Sequence, residues 1–505
     1  MKAILTILFT FLILTAVVEG KACGNKPEEV TITGKVLNII QDNALLTLVI
    51  NRVAFPPEKI EIDLDDSGSF SYSFASYIPS DVYISCGNYF YLLVNPGDSI
   101  HVEFDGKRKN FLEEIKYSGD AIKLNQDASA FQNLFSSEGL FANPDNYMSK
   151  IRESNPEEYS HFLDSCRLEL SKLYASFIKH YNPDEKAKNW ISTFLTKEYY
   201  YNYAFYPSIH SQLNDLKEAH SDVPEDYYNR LRKIGHVDAS MTICTEALNS
   251  LINVYHYLYA LKKTIDENNQ FMGDTTKTEL EKWSLIFDGV VKNTPDPLMR
   301  QMVITEMFVD KLNKSDIELF EDKRKVIEEY VKAPYLKEPL FNLYYKAKEE
   351  LENPQISRDA VLNIPKDFSV KQIIDSIISV NNGRVIYLDC WATWCSPCLR
   401  EMPDSKKLMK EFNKDSVAFI YVCVDSGEDI WKATLGKLQL GGQNFYLNKQ
   451  QSAELRHTFN IIGIPFYILM NKDGKIVEKG SHLRPDDVKE KIMNLLSEER
   501  EVGNL

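Results

Sequence analysis

Two cysteines, three positions apart, carry the most specific chemical signal in this sequence. Cys395 and Cys398 stand where an apolar, strand-like run gives way to residues with helical spacing. The first sulfur then lies at the start of a helix, where free backbone N–H groups and the helix dipole favour a thiolate. The second sulfur lies one turn further on and more buried, a position from which it can attack a mixed disulfide. The spacing therefore predicts a redox-active dithiol.

A half zinc site and a purely structural disulfide are the alternatives for this pair. Zinc-binding cysteine pairs usually need a second Cys-x-x-Cys or paired histidines. The sequence has no second Cys-x-x-Cys, and His457 and His482 are not spaced as metal ligands. We therefore favour the dithiol. Because two cysteines carry the electrons themselves, we expect no metal, flavin or nicotinamide cofactor.

Two acidic residues flank the cysteines in the sequence. Asp389 lies six residues before Cys395, on the strand that leads to the motif, and Glu401 lies three residues after Cys398. A buried carboxylate beneath Cys398 can take its proton during resolution, and an acid one helical turn further on can relay protons. The alternatives are an ordinary strand-end acid for Asp389 and an exposed helix acid for Glu401.

The segments around the motif predict an α/β domain over 360–500. Continuous apolar runs indicate buried strands, and helical spacing follows the cysteines. The predicted elements are strands at 383–391 and 416–424, a helix at 398–413, a hairpin at 466–479 and a closing helix at 486–497. Ile464–Pro465 directly precedes the hairpin. Because proline is poor inside a strand ladder, Pro465 should start the strand, and we expect a cis bond there.

The residues of this region resemble a known family. Asp-Cys-Trp-Ala-Thr-Trp-Cys-Ser-Pro-Cys over 389–398, followed by Glu-Met-Pro and later by Gly-Ile-Pro at 463–465, resembles thioredoxin-fold proteins of the TlpA/ResA type. The resemblance implies that Cys395 is the attacking thiol and Cys398 the resolving one. It also implies that Pro465 shapes a peptide-binding groove and keeps metals off the thiols. Cys390 departs from the family, which usually has Phe at that position, and we interpret it as a small buried residue.

The client-binding residues are expected at the same place. We expect Trp394, Ile464 and Pro465 to contact a client polypeptide, with the backbone of Ile464 pairing with an extended client strand.

Two further regions precede the α/β domain. Residues 28–118 contain short alternating strands with turn residues between them, which predict an antiparallel β-sandwich similar to the small β domain found ahead of many exported TlpA-like thioredoxins. Residues 119–355 are nearly free of glycine and predict an all-α region. Within it, the aromatic-rich run 188–206 predicts a helix packed on several sides, with a peptide-binding groove as the alternative. The predicted fold class is therefore multidomain: an N-terminal β-sandwich, a central all-α region and a C-terminal thioredoxin fold.

The N-terminus predicts export. Residues 1–22 have the form of a secretory signal peptide, with Lys2 before an uncharged apolar run. Cys23 could carry a lipid anchor, although the residues before it match a lipobox poorly, so a soluble exported protein, a lipoprotein and an uncleaved anchor all stay open. Each alternative lies outside the cytoplasm, in the periplasm or cell envelope, where disulfides persist. No later apolar run is long enough to cross a membrane.

Charge and composition narrow the partners. The chain has 58 basic and 73 acidic residues, a formal charge of -15. No basic run offsets this charge, so nucleic acid is not an expected partner. The remaining cysteines Cys86, Cys166 and Cys244 lack Cys-x-x-Cys spacing, and one structural disulfide among them stays open. Cys423 lies in a buried strand as a core thiol.

The sequence therefore predicts an exported thiol-disulfide oxidoreductase. It would reduce disulfides in client proteins and be restored by an upstream membrane electron donor. A thiol peroxidase is disfavoured, because the proline that peroxidatic sites need ahead of the cysteine is absent. The alternative from another class is a surface or periplasmic binding lipoprotein, in which the helical region captures a peptide or glycan and redox chemistry is secondary.

Overall fold

The computed structural model describes residues 26–39, 45–107, 111–138, 144–216 and 223–497. The chain divides into two compact units. The first comprises residues up to 269 together with 289–303 and 332–336, and the second comprises 270–288, 304–331 and the chain from 337 onward. The predicted signal peptide and Cys23 lie outside the described residues. Across the described ranges, no helix combines the length and the apolar character that a membrane span requires.

Eight strands open the first unit. They are β1 Glu28–Leu37, β2 Leu45–Ile50, β3 Glu58–Asp63, β4 Ser69–Ser76, β5 Ser80–Cys86, β6 Asn88–Val94, β7 Ser99–Asp105 and β8 Lys116–Gly119. They form two four-stranded sheets, ordered β4-β1-β7-β8 and β3-β2-β5-β6. Alternate residues of both sheets, such as Val30 and Ile32 of β1 and Leu46 and Leu48 of β2, belong to one hydrophobic cluster. The period-two pattern in the sequence thus marks the buried faces correctly.

The prediction of a purely antiparallel domain is wrong for one strand pair. β1 and β7 run parallel, with Thr31 opposite Ser99 and Leu37 opposite Asp105. The chain leaves the first sheet after β4, forms β5 and β6 in the second sheet, and then returns as β7. No hairpin joins β1 to β7, so the antiparallel direction that a tight turn would impose does not apply.

Helices dominate from residue 122 to 352. They are α1 Ile122–Glu138, α2 Pro144–Glu153, α3 Pro156–Tyr181, α4 Glu185–Leu213, α5 Thr245–Tyr255, α6 Lys262–Glu267, α7 Asn269–Met272, α8 Glu279–Asn293, α9 Pro297–Asn313, α10 Glu318–Tyr330 and α11 Pro334–Glu352. A π-helical segment, His256–Leu261, joins α5 to α6, and 3-10 turns occupy Phe111–Glu114, Tyr227–Gly235 and Ala239–Ile243. The aromatic-rich run lies within α4, where Trp190, Tyr203 and Tyr206 are buried while Tyr201 and Phe205 are exposed. This agrees with a helix packed on several sides.

A buried acid connects β5 with α4 and α5 in the first unit. Asp81 is fully buried and accepts hydrogen bonds from the Trp190 indole N–H and the backbone N–H of Glu246, both at 3.1 Å. Burial, reinforced by the charge of Glu246, raises the pKa of Asp81 to about 7. The protonated carboxyl is therefore favoured in the folded protein below that pH.

The second unit contains a mixed six-stranded sheet with helices. Its strands are β9 Ala360–Asn363, β10 Val385–Trp391, β11 Val417–Cys423, β12 Gly442–Tyr446, β13 Phe466–Met470 and β14 Ile476–Gly480, in the order β14-β13-β10-β11-β12-β9. Its later helices are α12 Val370–Val380, α13 Ser396–Glu411, α14 Glu428–Leu438, α15 Lys449–Phe459 and α16 Lys489–Ser497. β10 is buried along its whole length, as its apolar run predicts. The predicted helix at 398–413 begins two residues earlier, because Cys395 is its N-cap. The closing helix begins at Lys489 rather than 486, because turns occupy the preceding residues.

The two faces of β10 divide the core of this unit. Val385, Tyr387 and Trp391 belong to the cluster that contains Met402 and Leu408 of α13. Ile386, Leu388 and Cys390 belong to the opposite cluster, with residues of α12 and α15. Since side chains alternate along a strand, Asp389 points to the α13 side. The strand thus delivers this acid to the same layer as the cysteine pair.

Candidate active site

The cysteine pair lies at the first turn of α13. Cys395 is the N-cap residue, and Cys398 donates its backbone N–H to the Cys395 sulfur at 3.3 Å. The two residues are joined by a disulfide, with their Cα atoms 5.3 Å apart. Pro397 occupies the first helical turn, where its missing N–H costs no helical hydrogen bond. The Cys395 sulfur therefore accepts a hydrogen bond from the backbone N–H of Cys398, whereas Pro397 has no N–H to donate.

The segment before the cysteines is fixed to the loop after β11. The backbone N–H of Thr393 donates to Ser426 Oγ at 3.1 Å, and the indole N–H of Trp394 donates to the carbonyl of Asp425 at 2.8 Å. The Asp425 carboxylate is held in turn by Arg456, with Nη2 2.7 Å from Oδ2. Trp394 remains 51% exposed. About half of the Trp394 surface is therefore accessible next to Cys395 in the chain.

The predicted cis bond between Ile464 and Pro465 is confirmed. Cys390 near the end of β10 lies opposite Phe466 at the start of β13. Pro465 therefore lies at the end of these strands from which the chain continues to Cys395. Pro465 is buried, and Ile464 is partly buried against the cluster that contains both active-site cysteines. Ile464 and Pro465 thus lie at the end of β10 and β13 from which the chain continues to Trp394 and Cys395.

Asp389 is an isolated buried acid. Its side chain is nearly inaccessible, and its Oδ1 atom has no hydrogen-bond partner among the described residues. Burial, reinforced by the charge of Glu401, holds the pKa of Asp389 well above its ordinary value. A carboxyl whose pKa is raised takes up a proton more readily than an exposed acid, so it can exchange one with a neighbouring group in the same layer.

Glu401 is held from two sides. It accepts a hydrogen bond from the Tyr467 hydroxyl, and its Oε1 atom forms an ion pair with Arg484 Nη1 at 3.0 Å. Tyr467 stacks on Tyr387, with ring centroids 5.6 Å apart. The exposed-acid alternative for Glu401 does not describe this environment, because only 17% of its side chain is exposed.

Sequence reasoning missed both partners of Glu401. Tyr467 follows Pro465 by two residues on an apolar strand, and its inward position was a usable signal. Arg484 lies in an irregular segment, and no spacing pattern connects it to the helix of the cysteines. The Tyr387 hydroxyl anchors this segment by donating to the carbonyl of Leu483 at 2.7 Å.

The other thiols of this unit, Cys390 and Cys423, are buried and free. Cys390 is fully buried in the opposite cluster, and burial raises its pKa. Burial also raises the pKa of Cys423 to about 12. In the first unit Cys244 is a buried free thiol and Cys166 is half-buried and free. Within the described ranges, no three His, Cys, Asp or Glu side chains are grouped to hold a metal ion.

Comparison with known proteins shows which family and which relatives this region resembles. The model of the thioredoxin-like family matches residues 382–476. The thiol-disulfide oxidoreductase ResA of Bacillus cereus is 28% identical over 139 residues, which cover 28% of this chain and 77% of the relative. The sporulation thiol-disulfide oxidoreductase A of Bacillus subtilis is 28% identical over 114 residues, 22% of this chain and 69% of the relative.

A solved structure is also similar to part of this chain. The thioredoxin domain of a thiol-disulfide oxidoreductase from Bacteroides vulgatus is 27% identical, covering 24% of this chain and 84% of that one with a TM-score of 0.22. The family match includes the Cys-x-x-Cys pair and the Gly-Ile-Pro turn. Residues 382–476 therefore match the thioredoxin-like family, and the C-terminal part of this chain is similar to thiol-disulfide oxidoreductases of the ResA type.

Proposed function

We propose that this protein is an exported thiol-disulfide oxidoreductase that reduces disulfides of cell-envelope client proteins. The observation that carries the proposal is the placement of Cys395 as the N-cap of α13, bonded to Cys398, with the sulfur facing a backbone N–H. A helix start of this kind stabilises a thiolate, and the thiolate is the nucleophile of disulfide exchange.

The proposed reaction transfers two electrons from the dithiol to the client. The Cys395 thiolate attacks one sulfur of the client disulfide, whose S–S bond breaks as a mixed disulfide forms and a client thiolate leaves. Cys398 loses its proton and attacks the Cys395 sulfur. The mixed disulfide breaks, the client departs with both sulfurs reduced, and the Cys395–Cys398 disulfide remains. A thiol reductant upstream must then return two electrons, and no organic cofactor is required.

Asp389 is the proposed acceptor of the Cys398 proton. It lies on the α13 side of β10, and its raised pKa favours the uptake of a proton by its carboxylate. Glu401, fixed by Tyr467 and Arg484, is the proposed relay between this buried acid and solvent. Trp394, Ile464 and Pro465 are the proposed contacts of the client.

The remaining proposals concern the localisation of the protein and its partners. The signal peptide at 1–22 supports export to the periplasm or cell envelope, with a lipid anchor at Cys23 as one form of attachment. A membrane electron donor is the proposed source of electrons. The two N-terminal sheets share one hydrophobic cluster, which supports the predicted sandwich over 28–118, and the helical region over 119–355 follows it. We assign to both regions the positioning of clients or partners.

Insulin reduction tests the proposal. The chain should accelerate precipitation of the insulin B chain by dithiothreitol, and Cys395→Ser should abolish the acceleration. Cys398→Ser should trap client proteins as mixed disulfides in the native cell envelope. Equal activity of wild type and Cys395→Ser would contradict the proposal.

One cavity of the helical region bears on the binding-lipoprotein alternative. The cavity between α3 and α4, lined by residues that include Leu163, Cys166, Arg167 and Tyr199, has a volume of about 170 Å³. Ligand pockets usually measure about 300–1,000 Å³. The cavity is thus small for a peptide or a glycan, and the redox function is favoured.

A further inference from the structure

A cleft opens beside Trp394 within the second unit. Its volume is about 460 Å³, which falls within the usual range of about 300–1,000 Å³ for ligand pockets. The side chains that matter for its chemistry are Lys314, Asp316, Trp394, Ile430, Tyr446 and Lys449. Four of these belong to the thioredoxin-like domain, whereas Lys314 and Asp316 come from the turn between α9 and α10. The helical region therefore supplies one wall of a cleft next to the redox pair.

The α9–α10 turn is firmly fixed against α14. Ser315 is buried and donates its hydroxyl to Glu350 at 3.1 Å. Lys437 near the end of α14 donates to the carbonyl of Asn313 at 2.6 Å and forms an ion pair with Glu350 at 2.8 Å. Because of these contacts, the α9–α10 turn holds a fixed position as one wall of the cleft.

The aromatic residues of the cleft offer only their apolar faces. The Trp394 N–H is used by the carbonyl of Asp425 at 2.8 Å, and the Tyr446 hydroxyl donates to the carbonyl of Ser426 at 3.0 Å. Ile430 lies in the same lining. An occupant therefore gains most by placing an apolar side chain against these residues.

The charges of the cleft leave one cation unmatched. Asp316 pairs with Lys311 at 3.0 Å and Lys314 with Asp310 at 2.7 Å. The remaining lining carboxylate, that of Asp425, pairs with Arg456. In the part of the chain that the structure describes, Lys449 is exposed and has no ion-pair partner. An occupant that complements the charge of Lys449 therefore carries a carboxylate.

We propose that this cleft binds the client polypeptide next to its disulfide, with an apolar client side chain against Trp394, Ile430 and Tyr446 and a client Asp or Glu beside Lys449. The inference rests on the proposed function, because it places the client of Cys395. It makes the α9–α10 turn a specificity element of the redox site. Clients whose disulfide is flanked by an apolar and an acidic residue are the preferred class.

Single-turnover kinetics with matched peptides test the cleft. The whole chain is reduced, freed of reductant and mixed with symmetrical disulfide dimers of a nine-residue peptide that has one central cysteine. The two flanking residues are Leu and Glu, Leu and Gln, Leu and Lys, or Ser and Glu. Second-order rate constants are read from acid-quenched samples by chromatography. We expect the Leu/Glu peptide to react about two- to fivefold faster than Leu/Lys, and this ratio to fall towards one at high salt.

Three variants test whether the ratio of rate constants depends on the cleft. Lys449→Glu should invert the preference between Leu/Glu and Leu/Lys, whereas Lys475→Glu, the same charge change at an exposed lysine outside the cleft, should keep it. Gly427→Trp should fill the cleft, because a Cβ at Gly427 meets nothing closer than Ile430 Cδ1 at 3.8 Å. It should remove the advantage of Leu/Glu over Ser/Glu. Ratios within one variant cancel any general loss of activity.

The outcomes separate this inference from the proposed function. If reduced wild type reacts with none of the peptides, or Cys395→Ser reacts equally fast, the proposed function is wrong. If all peptides react at equal rates in a Cys395-dependent manner, the function stands and the cleft assignment is wrong. Equal shifts in Lys449→Glu and Lys475→Glu would also overturn it, since they would show an effect of overall charge.

Discussion

Arg484 and Glu401 form an ion pair, with Nη1 3.0 Å from Oε1, although they come from an irregular loop and from the helix of the active-site cysteines. The Tyr467 hydroxyl also donates to this carboxylate. The charge of Glu401 in turn raises the pKa of the buried Asp389. A loop residue thus contributes to the electrostatics of an acid inside the domain.

The first prediction follows from this chain of contacts. Glu401→Gln removes a negative charge and should lower the pKa of Asp389, whereas Arg484→Gln leaves Glu401 uncompensated and should raise it. The pH profile for resolution of the mixed disulfide should shift in opposite directions in the two variants, as measured by quenched-flow chromatography. Glu411→Gln, an acid at the end of the same helix, is the control. Shifts in the same direction would contradict the coupling.

The second prediction concerns the reactivity of the thiols. In the reduced native protein near pH 7, iodoacetamide should label Cys395 first, because its sulfur faces the helix start. Cys390 and Cys423 should react only after unfolding, since burial raises the pKa of both thiols. Peptide mapping by mass spectrometry gives the order, and earlier labelling of Cys398 would reverse the assigned roles.

The third prediction concerns Asp389 itself. Asp389→Asn removes the proposed proton acceptor, so resolution by Cys398 should slow by about 100-fold or more while the first attack stays nearly unchanged. Mixed disulfide should then accumulate in stopped-flow traces with a disulfide peptide. Asp415→Asn, at an exposed acid before β11, serves as the matched control. A folded Asp389→Asn protein without accumulation would make Asp389 a structural acid.

The fourth prediction is a pH dependence of stability in the first unit. Asp81 has a folded pKa of about 7 against an ordinary value of 3.8. Between these values the native state holds a proton that the unfolded state lacks, so the free energy of unfolding contributed by Asp81 should fall as pH rises towards 7 and then level off. Asp81→Asn should flatten this decline in urea midpoints measured from pH 4.5 to 8, and Asp63→Asn on exposed β3 should not. An unchanged slope in Asp81→Asn would refute the assignment.

The fifth prediction concerns the redox poise. Pro397 gives the Cys395 sulfur no N–H, and a second negative charge near Asp389 is costly, so the thiolate is not extremely stabilised. We expect a reduction potential nearer about -270 mV than about -120 mV. Equilibration with dithiothreitol and glutathione buffers measures it. A value near that of the strong oxidants would mean that other donors stabilise the thiolate.

Local signals in the sequence were sufficient for the centre of the site. The Cys-x-x-Cys pair at a strand–helix junction, the cis bond before Pro465 and the buried strands β10 and β11 all follow from residues close together in the chain. Such features depend on backbone preferences and on short-range periodicity, which a single sequence displays.

Contacts between distant segments could not be read in the same way. The parallel pairing of β1 with β7, the ion pair between Glu401 and Arg484, and the placing of Lys314 beside Trp394 all join residues separated by more than 60 positions. No periodic pattern specifies these partners, since each depends on how complete elements pack. The start of α13 was missed by two residues because Cys395 itself caps the helix.

The contacts of Lys437 decide where the redox part of the chain can be cut. Its ammonium is held by Asn313 and Glu350, and the neighbouring Gln439 donates to the carbonyl of Gln355 at 2.6 Å. A fragment that begins at residue 360 lacks all three acceptors, and it exposes the flank of α14 that they cover. A fragment meant to keep these contacts of α14 therefore has to include Asn313, well before the first residue that resembles a thioredoxin.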